Sequence, residues 1–346
     1  MRIGVVTTSY PRWPGDAAGS FVDGHVRALR RLGHDVDVVA AGPGDEPRTD
    51  GPGSAPSPVT RVPSRLFYAG GAPDLLERSP RLLLDAAVFS ARFAATIARR
   101  ARDWDQIVAH WLPSAVAALP ARKPLTAIVH GGDLFTLRRL GLLAPTLRLL
   151  RGAQLVFVAD HLRALAATGG IVQPMGLDLA HFASLGRAPT APPTILVAGR
   201  LVPIKGVDIA IEAMAHLPGA RLVVAGDGPE RRALAARARR AEVTFVGEVD
   251  AAGRDQLLRA ASVVVVPSRP LPNGRTEGCP TIALEALAAG VPVAATIGRA
   301  NVHVPANDPQ ALAAAVTHLL GNPPATQQLV ADLDWRDVAE RLVRKE

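Results

Sequence analysis

Apolar residues in this chain fall into two alternating patterns, short unbroken runs and longer helical stripes. Runs lie within 2–8, 106–109, 126–129, 194–198, 220–225 and 261–267, each bounded by turn-forming or polar residues. Such runs are the signature of strands buried on both faces of a parallel sheet. Between the first runs, 21–32 sets Val22, Val26 and Leu29 on one face of a predicted helix, which Gly33 closes. A second helix is predicted from Pro280, at the first helical position, to a left-handed cap at Gly290. Alternation of strand and helix predicts right-handed βαβ units and therefore an α/β class.

At 346 residues and 48% apolar content, the chain exceeds one ordinary core, so two domains are expected. The first is placed at 1–182 and the second at 183–334, with 186–193 as linker and a closing hinge near 183–193. A terminal helix over 335–342 packs either on the second domain or back on the first. The stretch 42–58, rich in Gly, Pro, Ser and Asp, reads as a surface loop. No run of 18 uncharged apolar residues suggests a membrane span. The apolar start is too short for a signal peptide, running straight into Ser9-Tyr-Pro-Arg-Trp13. A single cysteine excludes an intramolecular disulfide and fits a reducing compartment, so a cytoplasmic location is expected.

Two carboxylates, Glu277 and Glu285, flank the predicted start of the second helix. Unpaired amides near Gly278, Cys279 and Thr281, with the helix dipole, offer a seat for phosphate or diphosphate. Carboxylates accept hydrogen bonds only, so their natural partners are neutral hydroxyls. A diphosphate with sugar hydroxyls at both ends is a nucleotide-sugar. Positive charge appears upstream at Arg200 and Lys205. Only Lys123, Lys205 and Lys345 are lysines among 39 basic residues, which sets Lys205 apart from ordinary surface charge. Cys279 is either an activated thiol at a helix N-terminus or, more simply, a small residue filling space beside the phosphate.

Five segments in order carry a family resemblance: Val129-His-Gly-Gly-Asp133, Pro174-Met-Gly-Leu-Asp-Leu-Ala-His-Phe182, Gly199-Arg-Leu-x-x-x-Lys-Gly206, Val223-Val-Ala-Gly-Asp-Gly-Pro-Glu230 and Glu277-x7-Glu285. Gly33-His-Asp-Val-Asp-Val-Val39 adds a sixth. Together they resemble the retaining glycosyltransferases of family 4, over nearly the whole chain. The resemblance implies the GT-B fold, two facing Rossmann-like domains with parallel sheets. It implies transfer of a sugar, with retention, from a UDP-sugar or GDP-sugar to a glycan, lipid-linked or small-molecule acceptor, with no metal or other cofactor. By the same resemblance His130 and Glu277 act on the sugar, while Gly19, Arg200, Lys205, Gly278, Cys279, Thr281 and Glu285 hold the donor. His110-Trp111 either lines an acceptor pocket or packs in the core. Between Val291-Pro-Val-Ala-Ala-Thr296 and Val304-Pro-Ala-Asn-Asp-Pro309 the chain is shorter than its family, whose extra helix walls the donor cleft. An impaired, nucleotide-sugar-binding protein is therefore one alternative, and a GT-B epimerase or hydrolase another.

Net charge is +8. By residue count, 1–182 carry +6 of it and the remainder +2. Arginines at 99, 100, 102, 138, 139, 148 and 151 concentrate this excess, and 134–150 mixes some of them with Leu and Phe as a surface helix touching anionic lipid does. Solvated arginine on an ordinary surface accounts for the same residues equally well. Nucleic acid is not expected as a partner, since no recognition motif is present and aromatics are 4%; a Rossmann oxidoreductase is not expected either, since neither domain has a complete Gly-x-Gly-x-x-Gly. The expected setting is a cytoplasmic enzyme, peripheral on the inner face of the membrane, in cell-envelope polysaccharide synthesis.

Overall fold

The computed structural model describes residues 1–13, 16, 18–42, 59–64, 66–67, 82–240 and 242–343. The expected loop over 42–58 lies, beyond Gly42, outside the described residues. The chain divides into two compact units, Met1–Gly176 with Trp335–Glu346, and Leu177–Asp334.

The first unit is a parallel sheet of β1 (Arg2–Thr7), β2 (Asp35–Gly42), β3 (Val59–Pro63), β4 (Gln106–His110), β5 (Leu125–Val129), β6 (Gln154–Phe157) and β7 (Ile171–Val172). Their order is β3-β2-β1-β4-β5-β6-β7. The second unit repeats the scheme with β8 (Thr194–Ala198), β9 (Arg221–Ala225), β10 (Val243–Gly247), β11 (Val263–Val266), β12 (Val293–Ala295) and β13 (Val302–His303), ordered β10-β9-β8-β11-β12-β13. Both orders are Rossmann-like, reversing beside the first strand, between β1 and β4 and between β8 and β11. The strands form because their Val, Ile and Ala runs are covered on both faces: β4, β5 and β11 are buried along their whole lengths. Strands of this kind cannot be left at a surface, so each sheet is sandwiched by its own helices.

Three expectations shift. The change of unit falls between Gly176 and Leu177, before the 182/183 boundary read from sequence, because Phe182 is buried in the second unit's core. The stretch 186–193 is not a free linker or hinge. Arg187 donates to the carbonyls of Gly290 and Ala261, the Ala188 amide to Arg259, and Thr190 meets Thr194 at 2.7 Å. All these partners belong to the second unit. The chain crosses instead at Gly176–Leu177 and Asp334–Trp335, where Leu177 and Asp334 bridge in parallel and the Leu177 amide donates to Leu333. Finally, 134–150 is not one helix. It forms Gly132–Arg139 and Leu143–Leu149, broken where Gly141 turns at φ +69°.

Trp335 opens the Trp335–Leu342 helix and is nearly buried in the first unit, against Gly24 and Gly176, with its ring stacked on His25. A side chain at either glycine would collide with the indole. Trp335→Ala is expected to cost about 3–5 kcal/mol, the usual range for truncating a buried aromatic. Hydrogen exchange checks this: protection should fall in the Ser20–Arg31 helix and β1 and hold in the second unit.

Candidate functional site

In the second unit, the tips of β8 and β11 open a small cavity at the reversal of strand order, lined by Gly199, Lys205, Val266, Pro267, Ser268 and Ile282 among others. Open α/β sheets bind ligands at this place. The turn after β8 is tight because Gly199 (φ +147°) and Gly206 (φ +62°) occupy conformations that disfavour side chains. A side-chain carbon on Gly206 would run into the carbonyl of Pro267, and one on Gly226 into that of Gly199. Lys205 is thereby held against the cavity. Its ammonium pairs with one oxygen of Glu277, and the Ser268 hydroxyl bonds the other. Glu277 is thus fixed from both sides. Lys205 keeps two further N–H donors for an anion.

The Thr281–Ala288 helix starts above the same cavity, with Thr281 exposed and Ile282 in the lining. Pro280 is the N-cap rather than the first helical residue, since its ψ of 104° is extended. Gly290 does close the helix with φ +79°. Glu285 faces a different set of partners, accepting from Arg254 at 3.1 Å, while Arg254 also holds Asp255 and lies over the Phe182 ring. Asp255 in turn meets His181 at 2.8 Å. Gly278 and Cys279 are half-buried beside Glu277. Burial, together with the nearby Glu277, pushes the Cys279 thiol up to about 12, which removes the activated-thiol reading and leaves Cys279 as filler packed on the core. Arg200 is exposed at the start of the turn after β8.

Gly19 and His130 belong to the first unit; the other predicted site residues belong to the second. Gly19, with φ +70°, caps the Ser20–Arg31 helix and sits so close to Ser9 that a side chain would strike its carbonyl. His130 follows β5 and is half-buried among Phe21 at 5.0 Å and Trp111 at 4.8 Å, centroid to centroid. His110, open from sequence between acceptor pocket and core, is wholly buried. It bonds His130 at 3.0 Å on one side and His25 at 3.1 Å on the other. Burial pushes His130 down to about 3 and His25 to about 4, and keeps His110 well below the ordinary value. Asp133 accepts from the amides of Leu112 (2.8 Å) and Gly131 (3.0 Å), fixing the turn after His130. Burial raises its pKa against those bonds. Sequence reading passed over His25, Ser268 and Arg254. His25 was legible, because it shares the buried face of its helix with Val22, Val26 and Leu29; the other two are set by tertiary contacts. Among the described residues, no group of three or more His, Cys, Asp or Glu is placed to hold a metal ion.

These features define a Rossmann-like pair of units, the second with a small crevice at the tips of β8 and β11 beside the Lys205–Glu277 pair. Residues 192–322 match the family model described as "Glycosyl transferases group 1". The chain is 35% identical over 191 residues to the glycogen synthase of Mycobacterium tuberculosis, covering 47% of this chain and 45% of that protein. It is 28% identical over 243 residues to the putative colanic acid biosynthesis glycosyltransferase WcaL of Salmonella typhimurium, covering 61% and 60%. The matched part is thus about half the length of the first of these relatives and somewhat more of the second. Among solved structures it is similar to sucrose-phosphate synthase from Thermosynechococcus elongatus, with TM-score 0.70, 19% identity and coverage of 99% and 97%. A second is Anabaena HepE in complex with UDP-glucose, with TM-score 0.66, 17% identity and coverage of 99% and 98%. The fold is GT-B, with two parallel-sheet α/β domains.

Burial raises Glu285 above its ordinary value of 4.5, outweighing Arg254. The folded chain then holds this proton more tightly than the unfolded chain does. The ionised carboxylate therefore lowers stability fully above the folded pKa, and the penalty disappears below the unfolded one. Glu285→Gln is expected to melt higher than the parent at neutral pH, with the gap closing as pH falls toward 4.5 and gone below it. Melting curves across that range check it.

Proposed function

We infer that this chain is a retaining glycosyltransferase of family 4, transferring a sugar from a UDP-sugar or GDP-sugar to a glycan, lipid-linked or small-molecule acceptor. The observation that carries the reading is the crevice between the tips of β8 and β11, where Lys205, Ser268, Glu277 and the start of the Thr281 helix meet. Arg200, Lys205 and the amides of Gly278, Cys279 and Thr281 meet the departing diphosphate, so the protein itself supplies the charge that leaving-group departure needs. Glu277 receives hydroxyls of the transferred sugar, held in line by Lys205 and Ser268. Glu285 receives those of the ribose. In the first unit, Gly19 lets the backbone come close to the donor and His130 meets the sugar. The glycogen synthase and WcaL names both denote glycosyl transfer, and HepE was solved with UDP-glucose, which favours a sugar donor of the uridine class. Glu-x7-Glu is read as the pair that grips both ends of that donor.

Calorimetric titration with UDP, GDP and ADP tests this. One nucleotide is expected to bind in the micromolar range, and Glu285→Ala to weaken it tenfold or more, about 1.4 kcal/mol. No binding by any of the three overturns the reading. Turnover of the matching nucleotide-sugar then separates transfer from the alternatives: an epimer or stoichiometric free sugar identifies an epimerase or hydrolase, and tight binding without turnover a sensor.

A cytoplasmic enzyme at the inner membrane face is the setting that best suits the first unit's surface. Leu140, Leu142 and Leu149 are 56%, 49% and 60% exposed, and the exposed arginines 138, 139, 148 and 151 surround them. Apolar residues that dip into the acyl boundary beside cations that meet phosphate suit an anionic bilayer. We place the chain in cell-envelope polysaccharide synthesis, a role compatible with such a setting; WcaL is named for colanic acid biosynthesis. Co-sedimentation should show binding to vesicles containing phosphatidylglycerol, absent with phosphatidylcholine alone and lost in R138E/R139E/R148E/R151E. Equal recovery with both vesicle types sinks the membrane reading.

A further inference from the structure

Three histidine rings in the first unit are joined nitrogen to nitrogen. His25 Nδ1 meets His110 Nε2 at 3.1 Å, and His110 Nδ1 meets His130 Nε2 at 3.0 Å. The rings run in a line from the Ser20–Arg31 helix, through the end of β4, to the residue after β5. They do not converge on a point, as metal ligands would. His25 and His110 have no exposed surface, while His130 is half-buried. Two uncharged rings can share a nitrogen–nitrogen bond only if one carries the proton and the other does not.

Proton counting leaves two arrangements. Each neutral ring has one N–H, giving three protons, and each of the two links uses one. The third sits at one end of the line, on His25 Nε2 or on His130 Nδ1. Placing it at either end fixes the tautomer of all three rings at once. The ends are unequal. His25 Nε2 is buried and bonds no described group. Trp335 lies parallel to the His25 ring, at 7° and 5.8 Å, so its π face is not in line with Nε2 and gives an N–H there nothing to donate to. An orphaned buried N–H is among the rarest features of folded proteins, and a bare nitrogen there is the lesser penalty. The proton therefore belongs at the His130 end.

We propose that His25 and His110 are positioning residues that set the tautomer of His130, so that His130 presents Nδ1–H outward as a hydrogen-bond donor and accepts from His110 at Nε2. The low pKa values of the three rings agree, since a neutral line is what the counting requires. With the sugar-binding role of His130 proposed above, this inference specifies the polarity of the contact: His130 offers a proton to a sugar oxygen rather than accepting one from a hydroxyl. Only that last consequence rests on the glycosyltransferase reading.

Magnetic resonance of the full chain labelled at the histidine nitrogens distinguishes a protonated from a bare ring nitrogen, and His130→Gln assigns the signal by its loss. The expected signature is His130 protonated at Nδ1 and bare at Nε2; the reverse overturns the proposal. His25→Phe keeps a ring against Trp335 and leaves His110 Nε2 as the buried end of the line, so the same penalty on an orphaned N–H should keep it bare and the His130 signature unchanged. His25→Asp offers His110 an acceptor in place of a donor, which draws the His110 proton to Nε2 and should reverse the His130 signature. A reversed His130 in His25→Phe, or an unchanged one in His25→Asp, also overturns the proposal. These readings require no substrate, so they stand apart from the nucleotide titration: a failed titration with the expected signature rejects the enzymatic reading alone.

Discussion

The second unit depends on how closely its backbone segments approach at the tips of β8, β9 and β11. Gly226 lies against the carbonyl of Gly199, Gly228 against that of Leu201, and Gly206 against that of Pro267. Any side chain at these three positions would force the loops apart. Their contact turns Lys205 back toward the sheet, where it reaches Glu277 from the far side of the crevice. The chain then has no freedom to leave Glu277 to solvent, because Ser268 at the end of β11 holds its second oxygen. Glycine, lysine and glutamate are thus one device: the glycines set the distance and the charges use it.

That device was largely legible, because it is written in short segments with unusual residue types. The strand runs and the Gly199-to-Gly206 turn needed only local pattern. The chain's path between units was less so. Residues 186–193 carry Pro and Gly as a linker does, yet Arg187 and Thr190 anchor them to the second unit through partners far away in sequence. Composition reports what a segment can do alone and is silent about a single arginine with three carbonyls in reach. The same holds for 134–150, where leucine and arginine spacing favours one helix but Gly141 and the burial of Leu134 and Leu150 produce two. Partners such as Arg254 for Glu285 are invisible until the helices pack.

Both units bury titratable groups near their functional ends and compensate in different ways. In the second, the carboxylates are met by cations, and Glu285 still keeps a raised pKa because burial, with Asp255 nearby, outweighs Arg254. In the first, the histidines are kept neutral and satisfy one another. A buried charge needs a partner, whereas a buried imidazole needs only the right tautomer. The first unit thereby places a polar group of fixed direction in an apolar setting of Phe21 and Trp111 without any buried ion pair.

The short connection over 297–303 is the clearest departure from the resemblance, and its contacts give it a different meaning. Arg299 donates to the Leu329 carbonyl and pairs with Asp332, which ties the connection to the Gln327–Leu333 turn. Gly298 lies next to the Pro280 ring, and a side chain there would press on it. Val302 and His303 then add the edge strand β13 beside β12. The connection therefore braces the residue that caps the Thr281 helix. A longer insertion with a helix of its own would wall the crevice from outside; this one steadies the start of the Thr281 helix. Rigidity at Pro280 preserves the direction of the helix amides, on which an anion depends more than on the height of the surrounding wall.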